Sequence, residues 1–173
     1  MEIDETATPS VLSVLPEVEV YLFTLVITTL LRHKLLSEAA EASQTLVDRL
    51  RTFNRRSLDI FSAKAFFYYV YAHELTQQFL KIRANLLLCY RTACVRHDEM
   101  SQAVLLNSLL RMYISSNLVE QAHVLSLRAP FPEHASNNQY CRYLYYLGRI
   151  QAVQLDYSEA YQRLTMASRK APQ

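Results

Sequence analysis

The stretch Cys141–Pro172, CRYLYYLGRIQAVQLDYSEAYQRLTMASRKAP, decides the fold. It reads as two helices joined by a short turn. Asp156 and Glu159, three residues apart, mark the start of the second helix as a capping pair, and Pro172 stops it. Apolar and small residues fall at fixed offsets: Leu144, Leu147 and Gly148 in the first helix, then Ala160, Leu164 and Ala167 in the second. Small residues at Gly148 and Ala160 let two helices approach closely, and Leu144, Leu147 and Leu164 fill the space around that contact.

This is the pattern of a tetratricopeptide (TPR) unit, in which large, Leu, Gly, Ala, large, Ala and Pro recur at set positions. The one departure is Gln151, where an aromatic residue is usual. The preceding segment repeats the series more weakly, through Leu106, Leu109, Tyr113, Ala122 and Ala129; Ala122 and Ala160 are 38 residues apart. The first segment offers Phe23, Val26, Leu30 and Ala39. An ordinary bundle in accidental register is the competing reading, and seven matched positions in the last unit favour the repeat. One such unit cannot bury its apolar face alone, whereas stacked units form a continuous core. The expectation is an all-α, TPR-like α-solenoid of about four antiparallel helix pairs.

Moving outward, helices are expected from about Val18 to Arg32, from a Ser37 cap to Arg51, and from Asn54 or Ser57 onward with Phe61, Ala65, Tyr68 and Ala72 on one side. The next runs from about Thr76 to Arg96, carrying Phe79, Ile82, Leu86, Tyr90 and Ala93. Asp98 caps a helix over Glu99–Ser115, and Asn117 with Glu120 reads as a capping box for one ending near Arg128. Ala129-Pro130-Phe131-Pro132 breaks the pattern, and helices from about Ser136 to Gln154 and from Asp156 to Lys170 complete it. Residues 1–16 are polar, contain Pro9 and Pro16, and read as a flexible lead-in; residues 17–173 form the repeat domain. No stretch alternates as a half-buried strand would.

Composition excludes several functions. Gly148 is the single glycine in 173 residues, so no Walker loop or dinucleotide fingerprint can be written, and few positions are expected to take positive φ. A net charge of +2 is too weak to argue for nucleic acid as partner. The basic residues are mostly Arg, which suits protein interfaces. Three cysteines make no disulfide framework, which points to a reducing cytoplasm or nucleus. The apolar run Val20–Leu31 is too short for a membrane span.

The stretches Arg142–Ile150 (RYLYYLGRI), Tyr157–Ala160 (YSEA) and Arg169–Pro172 (RKAP) resemble the non-ATPase subunit 3 family of the 26S proteasome regulatory particle lid. Asn54–Asp59 (NRRSLD), Arg91–Asp98 (RTACVRHD) and Phe131–Asn138 (FPEHASNN) agree. The similarity runs from about residue 18 to the C-terminus. It implies a non-catalytic scaffold in ubiquitin-dependent degradation, whose repeats lead into a PCI winged-helix module absent from this sequence. It also implies other lid subunits as partners, among them a small acidic disordered one. PCI-type proteins occur in RNA-handling complexes too, so an adaptor associated with RNA or DNA is the other function left open.

Chemistry-bearing constellations are few. Cys89 and Cys94 on one helix point about 140° apart at 3.6 residues per turn, so with His97 they cannot close a zinc site. Cys141 stands alone. His33, His73, His97, His123 and His134 form no catalytic motif, and His33 and His97 fall at helix ends as capping residues. No cofactor, metal or catalytic residue is expected. The run Phe66–Tyr71 (FFYYVY) is expected mostly in the core, since consecutive helical residues point in all directions. Arg142 and Arg149, seven apart, share a face; with Arg163 and Arg169 they are expected to form a basic strip for an acidic partner. The last helix is expected to expose Tyr161, Leu164 and Met166, and the isolated chain to self-associate through them.

Overall fold

A computed structural model describes residues 15–172. Eight α-helices follow one another: α1 (Pro16–Arg32), α2 (Leu36–Thr52), α3 (Asp59–Leu75), α4 (Arg83–Arg96), α5 (Glu99–Ser115), α6 (Val119–Arg128), α7 (Asn137–Val153) and α8 (Tyr157–Lys170). Short 3-10 segments, Arg56–Leu58 and Phe79–Ile82, precede α3 and α4. No strand occurs among the described residues. Most of the expected lead-in, residues 1–14, lies outside them.

The odd-numbered helices form one row, α1 on α3, α3 on α5 and α5 on α7. The even-numbered helices pack beside them: α2 on α1 and α3, α4 on α5, α6 on α5 and α7, and α8 on α7. This is a stack of four helix pairs, the all-α solenoid the repeat pattern implies. Two apolar cores result. The first gathers Val20, Ile27, Leu46, Leu50, Leu58 and Ala65 from α1, α2, the 3-10 segment before α3 and α3 itself. The second is larger and runs from Tyr69 and Val70 through Leu86 and the fully buried Leu105, Leu106, Leu109 and Leu110 to Tyr143 and Ile150. Thus α3 feeds both cores from neighbouring residues, and α5, covered by helices on several sides, is buried from Ala103 to Leu110 without a break.

In the last pair, a Cβ added at Gly148 would lie 2.7 Å from Leu164 Cγ and 3.3 Å from the Ala160 carbonyl oxygen. Leu144 is fully buried, Ala160 and Ala167 are buried, Leu147 is half-buried, and Pro172 is exposed just beyond α8.

Several local expectations are corrected. Ser37 does not cap α2, which begins one residue earlier, at Leu36, without a side-chain cap. Asn54 and Ser57 do not open α3, because the 3-10 turn intervenes and Ser57 instead donates to Glu17 Oε1. The expected Thr76–Arg96 helix is interrupted: Gln77 takes φ 57°, and Phe79–Ile82 is 3-10 before α4 starts. Asn117 is no cap either, since it closes α5 at φ 58°. The acidic caps stand: Asp98 accepts from the Ser101 amide at 3.0 Å and Asp156 from the Glu159 amide at 3.4 Å.

Positive φ is commoner than one glycine suggests. Lys34, Gln77, His97, Asn117 and Leu155 all adopt it, each just past a helix. In each case the next amide reaches back to the carbonyl five residues before it, Leu35 to Leu30, Gln78 to His73, Asp98 to Ala93, Leu118 to Tyr113 and Asp156 to Gln151, at 2.8–3.0 Å. This closure satisfies carbonyls the helix end leaves open and offsets the roughly 1–2 kcal/mol cost of a left-handed non-glycine residue.

Candidate partner-binding groove

Three odd-numbered helices lay side chains along a shared narrow groove, whose cavity is about 30 Å³. α3 contributes Phe67, Tyr71 and Glu74; α5 contributes Asn107 and Arg111; α7 contributes Arg142 and Tyr146. The repeat geometry aligns them, because Phe67 and Asn107 are each eight residues into their helices and Tyr71 and Arg111 each twelve. Tyr145 and Arg149 hold the same two positions in α7.

The groove is polar and aromatic at once. Arg111 Nη2 meets Glu74 Oε1 at 2.8 Å. Asn107 is almost wholly buried; its Nδ2 donates to the Gln139 carbonyl and to Gln139 Oε1, both at 2.9 Å. Asn107 Oδ1 and Glu74 Oε2 are buried acceptors with no partner among the described residues. The rings of Phe67 and Tyr71 stack in parallel, centroids 6.2 Å apart. Burial raises the Tyr146 hydroxyl above its ordinary pKa, against the opposing pull of Arg111 and Arg142, so this phenol stays a neutral donor. The groups that a partner could reach are the exposed rings of Phe67 and Tyr71 and the exposed Arg142 guanidinium, which suits a carboxylate.

The four arginines singled out from sequence do not lie together on one face. Arg142 and Arg149 do share a face of α7; among the described residues neither forms an ion pair, and the Arg149 guanidinium sits 5.7 Å from the Tyr145 ring. Gly148, which faces α8, lies about 120° around the helix from Arg142 at 3.6 residues per turn, so Arg142 points away from α8. On α8, Arg163 is half-buried and 3.8 Å from Glu159, and Arg169 is exposed about 120° away from it. Sequence reasoning missed Phe67, Tyr71, Glu74, Asn107 and Arg111. The available signal was the helix-by-helix register, applied to the exposed side of each odd helix.

A second concavity, about 300 Å³, separates α2 from α4. Leu50, Phe53, Phe66 and Leu88 line it, with Arg51, Arg55 and Arg96 beside them. At one end Ser62 shares a 3.0 Å hydrogen bond with Ser101 and reaches Asp98 at 3.4 Å. Burial, and then the neighbouring Asp98 charge, raise the Asp59 carboxyl. Cys89 faces the same space; burial raises its thiol, against Arg51 Nη2 at 3.6 Å. Among the described residues no group of three or more His, Cys, Asp or Glu is placed to hold a metal ion, and no helix is long and apolar enough to cross a membrane.

Comparison with known proteins bears on what such a stack serves. A family model described as "PSMD3-like, N-terminal TPR repeats" matches residues 2–173. The chain is 44% identical over 158 residues to the probable 26S proteasome non-ATPase regulatory subunit 3 of Daucus carota, a match covering 91% of this chain and 32% of that protein. It is 44% identical over 157 residues to the 26S proteasome non-ATPase regulatory subunit 3 of Dictyostelium discoideum, with 91% and 31% covered. It is 43% identical over 160 residues to the probable 26S proteasome regulatory subunit rpn3 of Schizosaccharomyces pombe, with 92% and 32% covered. The chain spans about a third of the length of these relatives.

Proposed function

The chain belongs to the family of PSMD3-like N-terminal TPR repeats, and from that membership we propose that it is a non-catalytic scaffold of the 26S proteasome regulatory particle. In this reading it holds other lid subunits in place and so supports ubiquitin-dependent protein degradation in cytoplasm and nucleus. The observation that carries the proposal is the match along nearly the whole chain, joined to a stack whose odd helices share one groove. Repeat stacks of this kind use such extended surfaces to hold partners rather than to transform substrates.

Within that role we propose the α7 face of Arg142 and Arg149, with the adjoining groove, as the contact for the lid's small acidic disordered subunit. Two guanidinium groups outside ion pairs among the described residues favour carboxylates, and the exposed rings of Phe67 and Tyr71 offer flat faces to an extended segment. Leu144, Leu147, Gly148, Ala160, Leu164, Ala167 and Pro172 would act upstream of binding, by fixing the last helix pair and hence the pose of α7.

The test is a fluorescence anisotropy titration of the labelled acidic subunit against the chain. The Arg142→Glu/Arg149→Glu variant is expected to weaken binding by at least tenfold, since like charge then meets the partner. Arg163→Glu/Arg169→Glu should change it far less. Equal losses in both variants, or no binding by the native chain, would refute the assignment.

A further inference from the structure

Exposed hydroxyls in the helices turn back on their own backbone: Thr28, Thr45, Thr52 and Thr92 each donate to a carbonyl three or four residues earlier. Ser57 does not. It is exposed, lies outside the α-helices, and donates across 40 residues of sequence to Glu17 Oε1 at 2.5 Å. Arg55 Nη1 reaches the same Glu17 oxygen at 3.7 Å. One carboxylate with two partners thus ties the first turn of α1 to the connection between α2 and α3. The Ser57 hydrogen bond is also the chief reason that the Glu17 carboxyl lies below its ordinary pKa. The neighbouring tie, Glu19 to Arg49 at 3.6 Å, runs to α2 instead.

The surroundings of Ser57 suit a protein kinase. Two guanidinium groups, Arg55 and Arg56, immediately precede the hydroxyl, and an acidic substrate cleft selects such a charge pattern. Both arginines are exposed, and Arg56 forms no ion pair among the described residues. Phe53 and Arg55 have extended backbone, at ψ 134° and 132°. The 3-10 turn that follows is closed by a long hydrogen bond, from the Leu58 amide to the Arg55 carbonyl at 3.4 Å, and 3-10 bonding is weaker than α-helical. Leu58 is buried, so a kinase grasps the segment from the side of its arginines. Thr52 also follows two arginines, Arg49 and Arg51, but the Arg49 carbonyl holds its hydroxyl at 2.7 Å in the last turn of α2.

We propose that Ser57 is a phosphorylation site that controls how firmly the stack holds its first helix. Ser57 Oγ attacks the γ-phosphorus of ATP bound to the kinase. The bond from that phosphorus to the bridging oxygen breaks, ADP leaves with the electron pair, and the hydroxyl proton passes to a kinase carboxylate. The product has no hydroxyl hydrogen left for Glu17, and it carries about two negative charges at pH 7. Repulsion replaces the hydrogen bond. Arg55 and Arg56 turn to the phosphate and its three acceptor oxygens, so Glu17 loses its second partner as well. The start of α1 then comes away from the connection, while apolar contact through Val20 and Ile27 keeps the rest of the helix in place.

The experiment incubates the full chain with Mg-ATP and the catalytic subunit of cyclic-AMP-dependent protein kinase, which takes Arg-flanked serines. Mass spectrometry locates the phosphate, and deuterium exchange follows the amides. Phosphate should appear on Ser57 and be lost in Ser57→Ala, whose circular dichroism should stay native because the side chain is exposed. Peptides covering the first turn of α1 should exchange about tenfold faster after phosphorylation, because local opening there becomes easier. Those of α7 and α8 should not change. Unphosphorylated Glu17→Gln should show part of that acceleration, and phosphate should add little to it. A folded chain that gains no phosphate on Ser57, or gains it on Thr52 instead, overturns the proposal. So does a phosphorylated chain whose α1 exchanges as before, or a Glu17→Gln variant that responds to phosphate as fully as the native chain.

Discussion

The last helix pair and the second solve the same packing problem with different residues. In α7–α8 the facing positions are Gly148 and Ala160, and an added Cβ at Gly148 would collide with Leu164. Eleven residues into α3 the counterpart of Gly148 is Val70, and three residues into α4 the counterpart of Ala160 is Leu86. The first and third pairs are intermediate, with Ile27 and Ala39, and Leu110 and Ala122, at the same register positions. Only the second pair is large on both sides. There α4 packs on α5, and a space of about 300 Å³ remains between α2 and α4. Large side chains at both positions thus go with the pair that leans on its neighbour rather than closing on itself.

If that comparison holds, the strongest effect comes from removing the large residue that anchors the open pair. Leu86 is fully buried, and Leu86→Ala should cost about 3 kcal/mol through lost burial and a residual cavity. Urea unfolding gives the number; a cost near zero would mean that α4 is not anchored there. The reverse swap sharpens the point. Ala160→Leu puts the second pair's large residue into the last pair and should cost about 2 kcal/mol by overpacking, whereas the exposed Gln162→Ala should change little. Equal small losses would show the register to be wrong.

Smaller effects come from the turns and from titration. Leu155 closes α7 at φ 69°; Leu155→Gly should raise stability by about 1 kcal/mol in the same assay, because glycine adopts that conformation without steric cost. His73 distinguishes the second pair by pH. It is buried in α3, and desolvation holds its pKa below the ordinary value. Its neutral form fits the fold, so this contribution is intact above the unfolded-state pKa of about 6.5 and declines as pH falls below it. The urea midpoint should drop on acidification, and His73→Gln should flatten part of that drop. An unchanged pH profile would remove His73 from the account.

How much of this was legible follows from how locally each feature is encoded. The α7–α8 pair could be read because its contact residues are small, a rare requirement that few sequences meet by chance. Asp98 and Asp156 could be read as caps because an acceptor three residues before the amide it serves is a local arrangement. Ser37 and Asn117 misled for the converse reason. Both are fitting cap residues, but Leu30–Leu35 and Tyr113–Leu118 close the preceding helices with left-handed residues, and those turns leave the caps no role. Gln77 does the same at the end of α3 and turns the start of the expected fourth helix into a 3-10 segment. Nothing about Lys34, Gln77 or Leu155 announces positive φ; the closing hydrogen bonds demand it. The groove was hidden for a further reason. Phe67, Asn107, Arg111 and Arg142 come from three helices, and only the stacking of the odd row brings them together. The aromatic run of α3 divides accordingly. Tyr69 is fully buried, and Phe66 and Tyr68 pack against the cores, while Phe67 and Tyr71 face the groove.

The contact between Gly148 and Leu164 tests the central claim most directly, through a double-mutant cycle of Gly148→Ala and Leu164→Ala followed by urea unfolding. The added methyl meets the Leu164 side chain at 2.7 Å, so Gly148→Ala should destabilise the native background even though alanine is the better helix former by about 1 kcal/mol. In the Leu164→Ala background the obstruction is gone, and the same substitution should become neutral or stabilising, a coupling of about 1–3 kcal/mol. Additive effects, with Gly148→Ala equally tolerated in both backgrounds, would contradict the claim that close approach at this glycine closes the last pair.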